Sequence, residues 1–170
     1  MNRSARSLLA VILFFTFSGC TKSKEVHTTP DNGFVLNGRF MGTDYAVRKN
    51  WTGGNEIAFT DISPIKSFSG HAHTVQFLLD TLISNSTYTF MPADAAGFDK
   101  TKHFDVALFY NDVVYHAGQE LNGTGEILSK PTAGSLTVTQ GHQHPSFRYT
   151  LQFGEIIVRG SYQGAVTVIE

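Results

Sequence analysis

The stretch at residues 147–153 reads FRYTLQF. Phe147, Tyr149, Leu151 and Phe153 alternate there with Arg148, Thr150 and Gln152. Successive side chains of a strand point to opposite faces, so this period of two gathers four large apolar groups on one face and leaves three polar ones on the other. That is the pattern of a strand covered on one side by a core and wetted on the other, as in antiparallel sheets. The same alternation appears on either side in the sequence. Leu136 and Val138 alternate with Ser135, Thr137 and Thr139, and Phe104, Val106, Leu108 and Tyr110 repeat the pattern with Asp105 between the first two.

From Phe34 onward the chain is rich in Phe, Tyr, Val, Ile and Thr, with turn-forming residues every ten to fifteen positions. Strands are expected near 34–39, 43–48, 56–61, 73–79, 87–91, 104–110, 112–116, 123–128, 134–140, 147–153, 155–162 and 164–169. Helix signals are nearly absent, and DAAGF at 94–98, the one candidate helical turn, is expected to be a loop. So many short strands with hairpin-length connections predict an all-β domain, an antiparallel two-sheet β-sandwich, with a calycin-like closed β-barrel as the alternative. In the final segment, Val166 and Val168 alternate with Ala165, Thr167 and Ile169, so apolar groups occupy both faces and a strand paired within a sheet is expected.

The beginning of the chain has a different character. Arg3 and Arg6 precede the apolar run LLAVILFFTF at 8–17, which leads into Ser18, Gly19 and Cys20. A run of that length is too short to span a bilayer as a helix and suits the hydrophobic region of an export signal. Small residues before the chain's single cysteine resemble the lipobox of bacterial lipoproteins, in which the signal is cleaved before the cysteine and its thiol carries a diacylglycerol. The expected organisation is a signal peptide at 1–19, lipidated Cys20 with a flexible polar tether at 20–33, and one β-sandwich domain at 34–170. Tethering through Cys20 implies a membrane partner and a place in the cell envelope, at the outer membrane, facing either the periplasm or the outside. A lone cysteine also excludes a disulfide within one copy of the chain.

Without residues 1–19, 11 basic residues stand against 14 acidic ones, a formal charge of −3. The basic residues are scattered along the sequence without a run that could track phosphates, and no nucleic-acid partner is expected.

Four stretches carry a family resemblance: NSTYTF at 85–90, GSLTVTQ at 134–140, FRYTLQF at 147–153 and IIVRGSYQGAV at 156–166. Their order resembles that of small uncharacterised envelope lipoproteins of Bacteroidetes, where a G-T-Y-T-F-like strand is followed by G-x-L-T-V, an aromatic strand and a closing G-x-Y-x-G strand. The resemblance implies a β-sandwich or related barrel in the cell envelope and implies no activity.

Candidate chemistry is sparse. Two His-x-His pairs, His71 with His73 and His142 with His144, hold four of the seven histidines. Residues two apart on a strand share a face, so such a pair can chelate one ion, and imidazole ligands would suit zinc, copper or nickel. However, the face of the first pair continues into Val75, Phe77 and Leu79, which predicts packed histidines at the rim of an apolar face. The second pair lies between two strands, just before Pro145, and is expected in an exposed loop. No carboxylate stands beside either pair in the sequence, and no His-Glu-x-x-His, G-x-S-x-G or phosphate-loop motif is present. No catalytic residue and no cofactor are therefore expected, with zinc or copper on the histidine pairs as the alternative.

Trp51, the only tryptophan, sits in the polar, glycine-containing stretch RKNWTGGNE, where its ring either folds back onto the sheet or is offered to a ligand. Thr81, within Asp80-Thr81-Leu82, resembles the acceptor of protein O-glycosylation in Bacteroidetes, provided it faces outward. Two readings follow. One is a non-enzymatic envelope lipoprotein, a binding or structural module that recognises protein or glycan through loops such as 49–55 and 141–146. The other is a metal-binding lipoprotein.

Overall fold

The computed structural model describes residues 32–64 and 67–169. The expected signal peptide at 1–19, Cys20 and most of the expected tether lie outside the described residues. Fourteen strands form among them: β1 (Gly33–Leu36), β2 (Arg39–Gly42), β3 (Tyr45–Trp51), β4 (Gly54–Thr60), β5 (Gly70–Leu79), β6 (Ser86–Phe90), β7 (His103–Phe104), β8 (Val106–His116), β9 (Gln119–Glu120), β10 (Glu126–Leu128), β11 (Ala133–Thr139), β12 (Ser146–Phe153), β13 (Ile156–Gln163) and β14 (Val166–Ile169). The 94–98 segment is a loop with two turns, closed by Ala95 and Phe98 amides donating to the Pro92 and Ala95 carbonyls.

The strands make two seven-stranded sheets. The first runs β2-β1-β13-β12-β11-β6-β7, and the second β10-β8-β5-β4-β3-β14 with β9 added on β8. Pairing is antiparallel except where β14 joins β3 and β7 joins β6. The result is a two-sheet β-sandwich. Its second sheet curls only into a half-barrel, with β10 and β14 left as separate edges, so the closed calycin-like barrel is not formed.

FRYTLQF lies in β12 as its alternation predicts, with Phe147, Tyr149, Leu151 and Phe153 buried and Arg148 on the opposite, exposed face. Facing it from the second sheet are Ile57, Phe59, Val75, Phe77 and Leu79. Phe59 is fully buried and stacks on Tyr149 across the sandwich, with ring centroids 5.0 Å apart and planes 13° apart. Phe147 at 5.1 Å and Tyr162 at 5.7 Å complete the ring cluster around it. Such tilted and offset ring pairs add directional preference to the burial of area, and so hold the two sheets in one register.

Three expectations are corrected. The strand placed at 34–39 is a hairpin, β1 and β2, because Asn37 and Gly38 both adopt positive φ (49° and 78°) in the two-residue turn that Asn-Gly favours. The strands placed at 104–110 and 112–116 are divided differently: β7 ends at Phe104, the chain crosses to the other sheet at exposed Asp105, and β8 runs unbroken through residue 112. The crossing resets the alternation. Ala107 and Phe109 are buried, whereas Val106, Leu108 and Tyr110, expected inside, lie on the other face. A strand's side chains change face together when the phase slips by one residue. The final segment does pair within a sheet, as expected, with β14 lying parallel to β3; it is an edge strand, with Val166 against the core and Val168 and Ile169 exposed.

Gly160 marks the closest approach in the core. A Cβ there would lie 2.5 Å from the Tyr149 hydroxyl and 2.6 Å from the Gly33 carbonyl oxygen, so only glycine lets the Tyr149 ring cross β13. The hydroxyl is buried without a hydrogen-bond partner among the described residues, and burial pushes its pKa far above the ordinary range for tyrosine. An unpaired buried hydroxyl costs stability. Tyr149→Phe keeps the ring stack and removes that group, and is expected to stabilise the domain by about 1 kcal/mol, which calorimetry would read as a rise in Tm of ~2–4 °C at this size.

Candidate functional site

The β3–β4 hairpin places Trp51. Its turn is only Thr52 and Gly53, with Trp51 opposite Gly54 and Gly53 at a φ of 123°. A Cβ on Gly54 would meet the Leu79 carbonyl oxygen at 2.7 Å and the indole at 3.4 Å. The absent side chain therefore lets the hairpin tip close onto the end of β5 with the indole lying over the turn. Trp51 nevertheless remains 40% exposed. It is the last residue of a strand, so the loop expected to hold it is shorter than the sequence suggests.

Beside the indole is a cleft of about 170 Å³, lined also by Gly53, Leu79, Asp80, Phe98, His103 and Asp105 among others. Three separate segments converge there: the end of β5, the 91–102 loop, and the β7–β8 crossing at Asp105. The crossing that misled the strand phase is thus also a wall of the cleft. Phe98 packs against the His103 ring at 5.9 Å. The Asp99 amide donates to His103 Nδ1 at 2.9 Å, which leaves Nε2 as the protonated nitrogen of the neutral ring. Asp99 itself is fixed by the amide and hydroxyl of Thr101 and by Lys102, and these bonds hold its carboxyl down at about 2. The turn that presents His103 accordingly keeps its charge through mildly acidic pH. Across the cleft, Asp80 receives the Lys100 ammonium at 3.2 Å, and its carbonyl takes an Asn55 amide hydrogen.

An exposed indole, a second ring, two carboxylates and an imidazole N–H form a mixed surface. The rings can stack on an apolar ligand face while the carboxylates accept hydrogen bonds from hydroxyls. The volume is below the usual range for drug-sized pockets and suits one ring-sized unit. Only Trp51 was singled out from the sequence. His103 reads there as an ordinary edge residue, and Asp80, Phe98 and Asp105 belong to segments whose meeting depends on the sheet-to-sheet crossing.

The histidine pairs do not form one site. His142 and His144 are exposed in the loop between β11 and β12, as expected, whereas His71 and His73 open β5 in the other sheet. No group of three or more His, Cys, Asp or Glu side chains able to hold a metal ion occurs among the described residues. The first pair also departs from the face assigned to it. A β-bulge between Ala72 and Thr74 sets one residue of β5 against two of β8, and the buried series of Val75, Phe77 and Leu79 passes to Ala72. His71 is exposed, while the His73 ring meets the core edge-on at Phe34, 6.4 Å away.

Both histidines act on the bulge itself. Asp112, at a φ of 58°, donates its amide to His73 Nδ1 at 3.1 Å, and its carboxylate lies 2.8 Å from His71 Nδ1. A carboxylate does stand beside the pair, brought from 41 positions away. Behind it, Asp61 accepts the His73 amide, and desolvation raises its pKa despite that bond. Gly125 completes the contact, since any Cβ there would strike the Asn111 and Asp112 carbonyl oxygens. Thr81 is exposed beside Asp80, and its carbonyl accepts the Tyr88 hydroxyl at 2.7 Å.

The bulge makes the roles of the two histidines separable. His73→Ala removes an acceptor and a ring contact, and should cost about 1–2 kcal/mol; the exposed His71→Ala should leave Tm unchanged, and a chelator should move neither protein, all by thermal denaturation of a soluble form beginning after Cys20. Compared with known proteins, the chain matches no family model, no curated protein and no solved structure.

Proposed function

We propose that the protein is a non-enzymatic lipoprotein of the cell envelope, tethered at the outer membrane through Cys20, whose sandwich recognises a glycan or a glycan-bearing protein through the Trp51 cleft. The observation that carries the reading is the exposed indole, held by a glycine turn beside Phe98, His103 and two carboxylates. An exposed large ring costs solubility and contributes little to folding, so its place beside hydrogen-bonding groups favours ligand contact. The order of Arg3 and Arg6, the 8–17 apolar run and Ser18-Gly19-Cys20 supports the anchor.

Trp51 is the sole tryptophan, so intrinsic fluorescence reports on the cleft alone. Titration of the soluble domain with neutral mono- and disaccharides is expected to shift its emission saturably. Trp51→Ala should abolish binding measured by calorimetry while moving Tm by no more than ~2 °C, as surface substitutions usually do. No saturable response to any sugar would overturn the glycan reading. The anchor is tested separately: Cys20→Ala should release the protein from the membrane fraction and abolish its labelling by a fatty-acid probe.

A further inference from the structure

The two sheets differ in charge. The seven strands of the first sheet contain Arg39, Arg148 and Arg159 and not one Asp or Glu, in a chain with 14 acidic residues. Arg148 and Arg159 lie on the outer face of neighbouring strands, β12 and β13. Arg148 is opposite Ser161 and Arg159 opposite Thr150, so the two are diagonal neighbours. At that spacing long side chains reach one another, and like charges are unfavourable. Neither guanidinium forms an ion pair among the described residues, whereas Arg48 on the second sheet is held by Asn50 and Asn55.

Both arginines line a shallow depression of about 190 Å³ together with Ser135, Thr137 and Thr150. The hydroxyl row extends across the sheet, where Thr137 bonds Thr87 at 3.0 Å. Two unneutralised guanidiniums over a floor of hydroxyls, with no carboxylate on the sheet to compete, are a receptor for an oxyanion. Arginine presents paired N–H donors that match phosphate and sulfate geometry, and hydroxyls donate to the remaining oxygens. The depression is open along the sheet and is ringed by polar groups. It therefore fits a charged group carried on an extended polar chain better than one embedded in an apolar layer.

We propose that the outer face of the first sheet is a second binding site, distinct from the Trp51 cleft, which takes a sulfate or phosphate ester of an acidic polysaccharide between Arg148 and Arg159. It does not depend on the Trp51 reading. The site also accounts for the arginine pair in a domain of net negative charge: unliganded, the two repel, and an ester oxyanion bound between them replaces that repulsion with two charge-assisted contacts.

The test measures binding of the soluble domain to heparin, to inorganic sulfate and phosphate, and to vesicles of phosphatidylglycerol in phosphatidylcholine. Heparin is expected to bind with a salt-dependent affinity that falls at least tenfold in Arg148→Gln/Arg159→Gln, with Tm unchanged or raised. Lys49→Gln/Lys130→Gln, which removes the same charge elsewhere, should change it less than twofold, and Trp51→Ala should not change it. Sulfate or phosphate should compete with heparin for the wild-type site. Equal losses in the arginine and lysine variants, absence of heparin binding, or binding to vesicles but not to heparin would each overturn the proposal.

Discussion

The stacking of Phe59 on Tyr149 is the contact on which the rest of the sandwich depends. One ring comes from the middle of the half-barrel sheet and the other from the middle of the first sheet, and Phe147, Phe77 and Tyr162 close around them. Hydrogen-bonded ladders fix each sheet internally but say nothing about how one sheet lies on the other. That relation is set by which side chains interdigitate between them. Once the rings are locked, the ends of the strands are placed, and with them the cleft at the tip of β3 and β4. Arg148, on the outer face of β12, is placed by the same strand, since it is outward because Phe147 and Tyr149 are inward.

Where local pattern and tertiary placement agreed, the fold was legible. Residues 134–140 and 147–153 carry unbroken alternation, and both segments became strands with the expected residues buried. Residues 104–110 show an equally clear alternation, which predicts the inward face rightly at Phe104 and wrongly from Val106 onward. Phe104 and Phe109 are both in the core, but they belong to different sheets, and exposed Asp105 is where the chain changes sheet. A charged residue within an apparent alternation was the available signal. Asn37-Gly38 was a stronger one, because two consecutive residues suited to positive φ announce a hairpin whatever surrounds them.

The candidate site was less legible, because it is assembled from residues far apart in sequence. Trp51 stood out as the sole tryptophan, but the carboxylates beside it cannot be distinguished from other surface acids until the crossing at Asp105 is known. The histidines gave the opposite difficulty. His71 and His73 share a spacing that suggests chelation, yet their distant partner is a bulged residue that uses one ring nitrogen of each. A bulge has no simple composition, and its only trace was Asp112, a residue type that tolerates positive φ.

The connectivity of the two sheets also bears on the order in which the protein assembles. Most pairings join neighbours in the chain, such as β3 with β4 or β12 with β13. Five do not, and two of these five close the longest loops: Gly33 meets Ser161 where β1 joins β13, and Ala46 meets Val166 where β14 joins β3. These contacts close loops of more than a hundred residues, and the entropy lost in closing them is recovered only when the whole sandwich is in place. Until β13 and β14 arrive, β1 and β3 each present an unpaired edge, and the aromatic face of β12 lacks part of its cover. A chain in that state is exposed to pairing with other chains. Its safe passage to the native form therefore depends on keeping the early strands apart from their neighbours in other molecules until the last quarter of the sequence has joined them.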